Sequence, residues 1–150
     1  MLRDDLQKAL KDAMLNHDAQ TTGAVRMIIA GMKEKDVDAR GKGQERASDS
    51  DLLSMMQTMI KQRNESIKMY KEGNRQDLVD KEQAEIKVIE RFLPKQMTET
   101  EVEAAIKAII ASTGASSLKD MGKIMGELKS KYAGQLDFGK ASAQIKSLLS

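Results

Sequence analysis

Leu2, Leu6, Ala9, Leu10, Ala13 and Met14 recur at i, i+4, i+7, i+8, i+11 and i+12, the apolar stripe of an amphipathic helix. A second stripe follows, with Val25, Ile28, Ile29 and Met32 at i, i+3, i+4 and i+7. It fades into a polar, glycine-bearing stretch from Asp38 to Ser48 whose largest apolar residue is alanine, which reads as a mobile loop. Short polar residues at Ser48 to Ser50 can cap a third helix, which runs to about Glu72 and is broken by Gly73 and Asn74. Its inner face is Leu52, Leu53, Met56, Met59, Ile60, Ile67 and Tyr70. A fourth helix, from Arg75 to Leu93, presents Leu78, Val79, Ile86, Ile89, Phe92 and Leu93 and stops there, because Pro94 disfavours helical geometry in the residue before it.

Past Pro94 the helices shorten. Thr98 with Glu101 forms a capping box ahead of Val102, Ala105, Ile106, Ile109 and Ile110, and Gly114 stops that helix. Ser117 with Asp120 caps a segment whose Met121, Ile124, Met125 and Leu128 share a face, ended by Gly134. Asp137 can cap a last helix that buries Phe138, Ala141, Ile145, Leu148 and Leu149. The pattern predicts an all-α chain: a four-helix, bundle-like N-terminal domain over residues 1–94 and a small three-helix C-terminal domain over residues 95–150. A unit of about 55 residues buries only roughly 60% of its unfolded surface, so core truncations should weigh heavily there.

Composition agrees with helix. One Pro, 3% aromatics and an abundance of Ala, Leu, Met, Lys, Glu and Gln leave little that favours strands. With 40% hydrophobic and 32% charged residues the chain reads as a globular protein, and no run of 18 apolar residues offers a membrane span. The acidic opening MLRDDL resembles neither a secretory signal nor an Arg-rich transit peptide, so a cytoplasmic location is expected.

Several chemistries lose their residues at once. Zero Cys removes disulfides, thiolate metal sites and thiol nucleophiles, and a single His removes multi-histidine sites, so neither metal nor cofactor is expected. His17, the one conventional proton shuttle, falls near the end of the first helix, where a cation suits the helix dipole. No Ser sits in a nucleophile elbow, and GKIMG lacks the Lys-Ser or Lys-Thr of a phosphate-binding loop. Glu82, Glu85 and Glu90 alternate with Lys81, Lys87 and Arg91 as on a solvated, ion-paired helix face. Arg63 interrupts the apolar face of the third helix and should pair with Glu82 or Glu85. Of the 11 Met residues, Met32, Met56, Met121 and Met125 fall at core positions, while Met27, Met55 and Met69 would mark a plastic docking surface if exposed.

The charge is uneven. Residues 1–94 hold 17 basic and 17 acidic side chains, whereas residues 119–150 hold six Lys against three acids, so a polyanion-binding surface would be C-terminal. Lys119, Lys123, Lys129, Lys131, Lys140 and Lys146 are the candidate phosphate contacts, and Gly122 and Gly126 could let a nucleic-acid backbone approach. The competing account is a solvated lysine face with glycines that permit close helix packing. The segment has no Arg for bidentate base reading and only Tyr132 and Phe138 for stacking, which leaves shape, not sequence, to be read.

The runs KQRNES at Lys61–Ser66, DLVDKE at Asp77–Glu82, FLPKQM at Phe92–Met97 and MGKIMG at Met121–Gly126 together resemble the YqeY family, across nearly the whole chain. The resemblance implies a C-terminal unit similar to the tail domain of the B subunit of the tRNA-dependent amidotransferase, which contacts the tRNA body. It carries over to the MGKIMG region, Gly134, Asp137 and the final helix. Such proteins are grouped with carbon-nitrogen ligases that use glutamine as amide donor, yet this chain lacks the amidase Ser and Lys machinery and the kinase-like cradle domain. The expected function is therefore that of a non-catalytic accessory protein binding tRNA or another structured RNA, with an aminoacyl-tRNA enzyme or amidotransferase subunit as a further partner. The alternative is a protein-protein adaptor that binds no RNA.

Overall fold

A computed structural model describes residues 1–149, and among them every regular element is helical: α1 (Leu2–Leu15), α2 (Ala19–Gly41), α3 (Asp49–Glu72), α4 (Gln76–Glu90), α5 (Glu99–Thr113), α6 (Met121–Lys131) and α7 (Phe138–Leu149), with one 3₁₀ turn at Leu118–Asp120. The chain divides into two compact units, Met1–Leu93 with α1 to α4 and a second beginning at Pro94 with α5 to α7.

In the first unit α3 packs along α4, α1 along α2, and α4 also against α2, while α2 and α3 meet over a shorter stretch. The core is built from Leu6, Val25, Ile28, Leu52, Met56 and Ile89, each essentially inaccessible to solvent. Ile67, Val79 and Ile86 form a smaller cluster where α3 meets α4, with Tyr70 packed against it. Gly31 sits where α2 meets α3; a Cβ there would lie 2.9 Å from the Met55 sulfur.

Two boundaries differ from the periodicity. The stretch after Val37 does not leave the helix at once: α2 continues to Gly41 and buries Ala39, so only residues 42–48 connect α2 to α3. That connection is anchored. Arg3 grips Asp36 through two hydrogen bonds, Nη1 to Oδ2 at 2.9 Å and Nη2 to Oδ1 at 2.7 Å, and also donates to the Ala47 carbonyl. The Ala47 N–H donates to Asp36 Oδ1 at 2.9 Å, which seats Ala47 in the core. Side chains distant in sequence pin this segment, and period-counting over a polar window cannot register them. At the other boundary α4 ends at Glu90, three residues short of expectation, because Phe92 and Leu93 donate to the carbonyls three residues back and the chain tightens ahead of Pro94.

Arg3 holds the Asp36 carboxyl at about 2, well below the usual carboxylate range, with help from the Ala47 N–H and against the opposing effect of burial. Because the folded value lies below the unfolded one of roughly 4, the stabilisation is complete above that pH and is lost as pH falls through about 2. Urea midpoints followed from neutral pH downward should fall less steeply for Asp36→Asn than for the natural chain; parallel curves would show that Asp36 contributes no such linkage.

The second unit is stitched by its ends. Capping boxes form at Ser48 with Asp51 for α3 in the first unit and at Thr98 with Glu101 for α5 in the second. Asp120 accepts from the backbone N–H of Ser116 and Ser117, and Asp137 from those of Gly139 and Lys140 at the start of α7. Gly114, with φ of 68°, is the left-handed cap that ends α5, whereas α6 already ends at Lys131 and Gly134, with φ of 75°, serves the turn that follows it. The Met97 N–H donates to the Gln135 carbonyl, which closes the unit around Ile106, Ile124, Leu128, Ala141 and Ile145.

Candidate nucleic-acid interface

The core side of α6 is set by Ile124 and Leu128, with Met121 and Met125 packed partly against the same cluster. At 3.6 residues per turn the opposite side then carries Gly122, Gly126 and Ser130 in a row, with Lys123 beside them. Lys119 stands in the 3₁₀ turn that leads into α6, and Lys129 and Lys131 lie in its last turn. All six candidate lysines and both glycines are exposed.

A Cβ added at Gly122 or Gly126 would meet no atom within 4 Å. The close-packing account of these glycines therefore fails within the C-terminal unit: they weaken α6 without allowing any neighbour in that unit to come nearer. The lysines are not equivalent. Lys131 leans 3.7 Å from Glu127 on the next turn back, and Lys129 holds its ammonium 5.8 Å from the centre of the Phe138 ring. Lys119 and Lys123 make neither kind of contact among the described residues. On α7, Lys140 and Lys146 are six residues apart and so lie about 120° apart around the helix, not on one face. The structure thus places Lys123 and Lys129 with the two glycines on α6, Lys119 in the turn before it, and the α7 pair apart from each other.

The other candidates resolve into structure. His17 is exposed, follows the end of α1 with φ of 56°, and donates its backbone N–H to the Met14 carbonyl. Beside it Asp18 caps α2; the Thr21 hydroxyl and N–H hold its carboxyl below the usual range. Arg63 pairs with Glu85, Nε to Oε2 at 3.0 Å, rather than with Glu82. Met55 is buried, whereas Met27 and Met69 are 42% and 70% exposed. Among the described residues no group of three or more His, Asp or Glu is placed to hold a metal ion, and no helix is long and apolar enough to cross a membrane.

Sequence reasoning missed a groove of about 650 Å³ along the seam between α2 and α3, with Met27, Met55, Met59 and Arg63 in its wall. The only sequence signal for it was Arg63 interrupting an otherwise apolar face.

A family model described as Yqey-like protein matches residues 3–149. The chain is also similar to "Altered inheritance of mitochondria protein 41, mitochondrial" of Lachancea thermotolerans, 33% identical over 115 residues, or 75% of this chain and 60% of that protein. The protein of the same name from Vanderwaltozyma polyspora is 30% identical over 77% of this chain and 64% of its own length. That from Saccharomyces cerevisiae strain YJM789 is 30% identical over 82% and 68%. The chain spans less than two thirds of the first two of these relatives. Their names call them mitochondrial, which overturns the cytoplasmic expectation. That expectation rested on the acidic first turn, yet Asp4 and Asp5 sit at the N-terminus of α1, where acids are favoured by the positive end of the helix dipole. Their charge serves the helix and carries no address.

Proposed function

The chain belongs to the family of YqeY-like proteins, and on that premise we propose that it is an accessory protein without a reaction of its own, whose C-terminal unit binds structured RNA, with tRNA the first candidate. The observation that carries this reading is the solvent-facing row of Gly122 and Gly126 with Lys119, Lys123 and Lys129 around it. A helix whose outer face carries only two glycines and a serine can lie close to a sugar-phosphate backbone, and flanking ammonium groups replace the counterions that the nucleic acid releases. No Arg stands between Lys119 and Leu149 to read a base edge, so contacts go to phosphate and sugar and recognise shape.

Filter binding with total tRNA at low and moderate salt is the direct test. Affinity should fall steeply with salt, and replacing Lys123 by Gln should weaken binding across RNA sequences and reduce the salt slope by about one. Absence of binding even at low salt would remove the proposal and leave the adaptor reading, in which RNase-insensitive capture of a protein is expected.

Gly126→Ala separates the fold from the function. Nothing in the chain obstructs the added methyl, so the substitution should stabilise the C-terminal unit by about 0.5–1 kcal/mol. The same methyl stands where the RNA backbone would approach, so affinity should drop while the melting temperature rises. Both quantities rising together would show that the glycine row is not an approach surface.

A further inference from the structure

We propose that the groove between α2 and α3 is a binding site for a small acyl compound, an apolar chain that ends in a carbonyl oxygen held by Arg63. The Arg63 side chain is 10% exposed and lines the groove. A guanidinium has five N–H donors. Arg63 directs Nε to Glu85, one Nη1 hydrogen to the Met59 carbonyl at 3.1 Å and one Nη2 hydrogen to the Met27 sulfur at 3.8 Å. Two Nη hydrogens have no acceptor among the described residues, and a thioether is itself a weak acceptor for a third.

Around these donors the wall is adaptable and mixed, with Ser54, Thr58 and Gln62 of α3 among its polar members. Met27, Met55 and Met59 supply flexible thioethers, and Ala30 and Gly31 leave the α2 side low. A volume of about 650 Å³ falls within the usual range for small-molecule sites. The charges select the head group. Arg63 is already balanced by Glu85, and the rim adds Glu34, Asp38 and Asp51 against Lys35 and Lys42, so nothing draws a polyanion and RNA is disfavoured here. An acyl oxygen, as carboxylate or amide, accepts from the Nη edge while Glu85 keeps the Nε edge. A cationic head would face the guanidinium itself.

The test uses the full chain labelled with ¹³C at the methionine methyls, titrated with octanoate, octanamide and octylammonium. Octanoate, octanamide or both should shift the Met27, Met55 and Met59 signals saturably and leave those of exposed Met14 and Met69 in place. Which of the two binds tells whether the ligand is a free acid or an acyl derivative. Octylammonium should bind roughly tenfold more weakly than the better acyl probe. The double variant Arg63→Met/Glu85→Met removes the ion pair without leaving either charge alone, and in it the preference should vanish. Ala30→Leu, at an exposed helical position on the groove wall, should fill the site and abolish the shifts in a folded chain. Equal response to all three probes, no saturable shift at millimolar concentrations, or a head-group preference that survives the double variant would each overturn the assignment.

Discussion

Arg63→Met should destabilise the N-terminal unit by about 3 kcal/mol, the lower end of what the loss of one partner from a buried ion pair costs. The substitution keeps the aliphatic bulk on α3 but strands the carboxylate of Glu85, which is 13% exposed and has Arg63 Nε 3.0 Å away. It also removes a donor from the Met59 carbonyl. Since a pair of apolar side chains at such a site is often neutral or better, Arg63→Met/Glu85→Met should regain most of the loss. Urea unfolding of the two single variants and the double variant closes the cycle. A single variant as stable as the natural chain would mean that the pair is solvated enough to be dispensable.

Ile109→Ala should cost about 2–5 kcal/mol in the C-terminal unit. Ile109 is 3% exposed and packs in a cluster with Ile106, Ile124, Leu128 and Ile145. So small a unit has few other apolar contacts over which to spread a cavity, so the loss is a large fraction of its stability. Amide exchange should show protection falling across α5 to α7 while α1 to α4 keep theirs. Uniform loss in both units would show that the chain unfolds as one body.

Much of the architecture was legible in the chain itself. Helical faces follow from the spacing of Leu, Ile, Val and Met, and the capping residues Ser48, Thr98 and Asp137 mark helix starts because their side chains satisfy backbone N–H groups only one turn away. These are local relations, complete within a few residues. The end of α2 was not legible, since the segment after it is held at Ala47 by an Arg3–Asp36 pair that joins residues 33 positions apart. Met55 belongs to the same class: it is largely buried because Gly31, on another helix, lets its thioether lie close.

The candidate interface divides in the same way. Residue types alone give the six lysines and two glycines of the C-terminal segment, and the helical period puts the glycines on one side of α6. What the glycines face could not be read from them, because a small residue is as suited to close packing as to open approach. Only the tertiary structure, which places no atom within 4 Å of either missing side chain, distinguishes the two. It likewise chooses Glu85 over Glu82 for Arg63 and opens the seam between α2 and α3.

By itself, then, the sequence determined that this protein is helical, which face of each helix turns inward, and where most helices begin, since periodicity and capping act over one or two turns. The folded chain alone decided which distant side chains meet, which glycines are left uncovered, and that a groove runs along the seam between α2 and α3. Those outcomes depend on the packing of whole helices against each other, and no window of neighbouring residues contains that information.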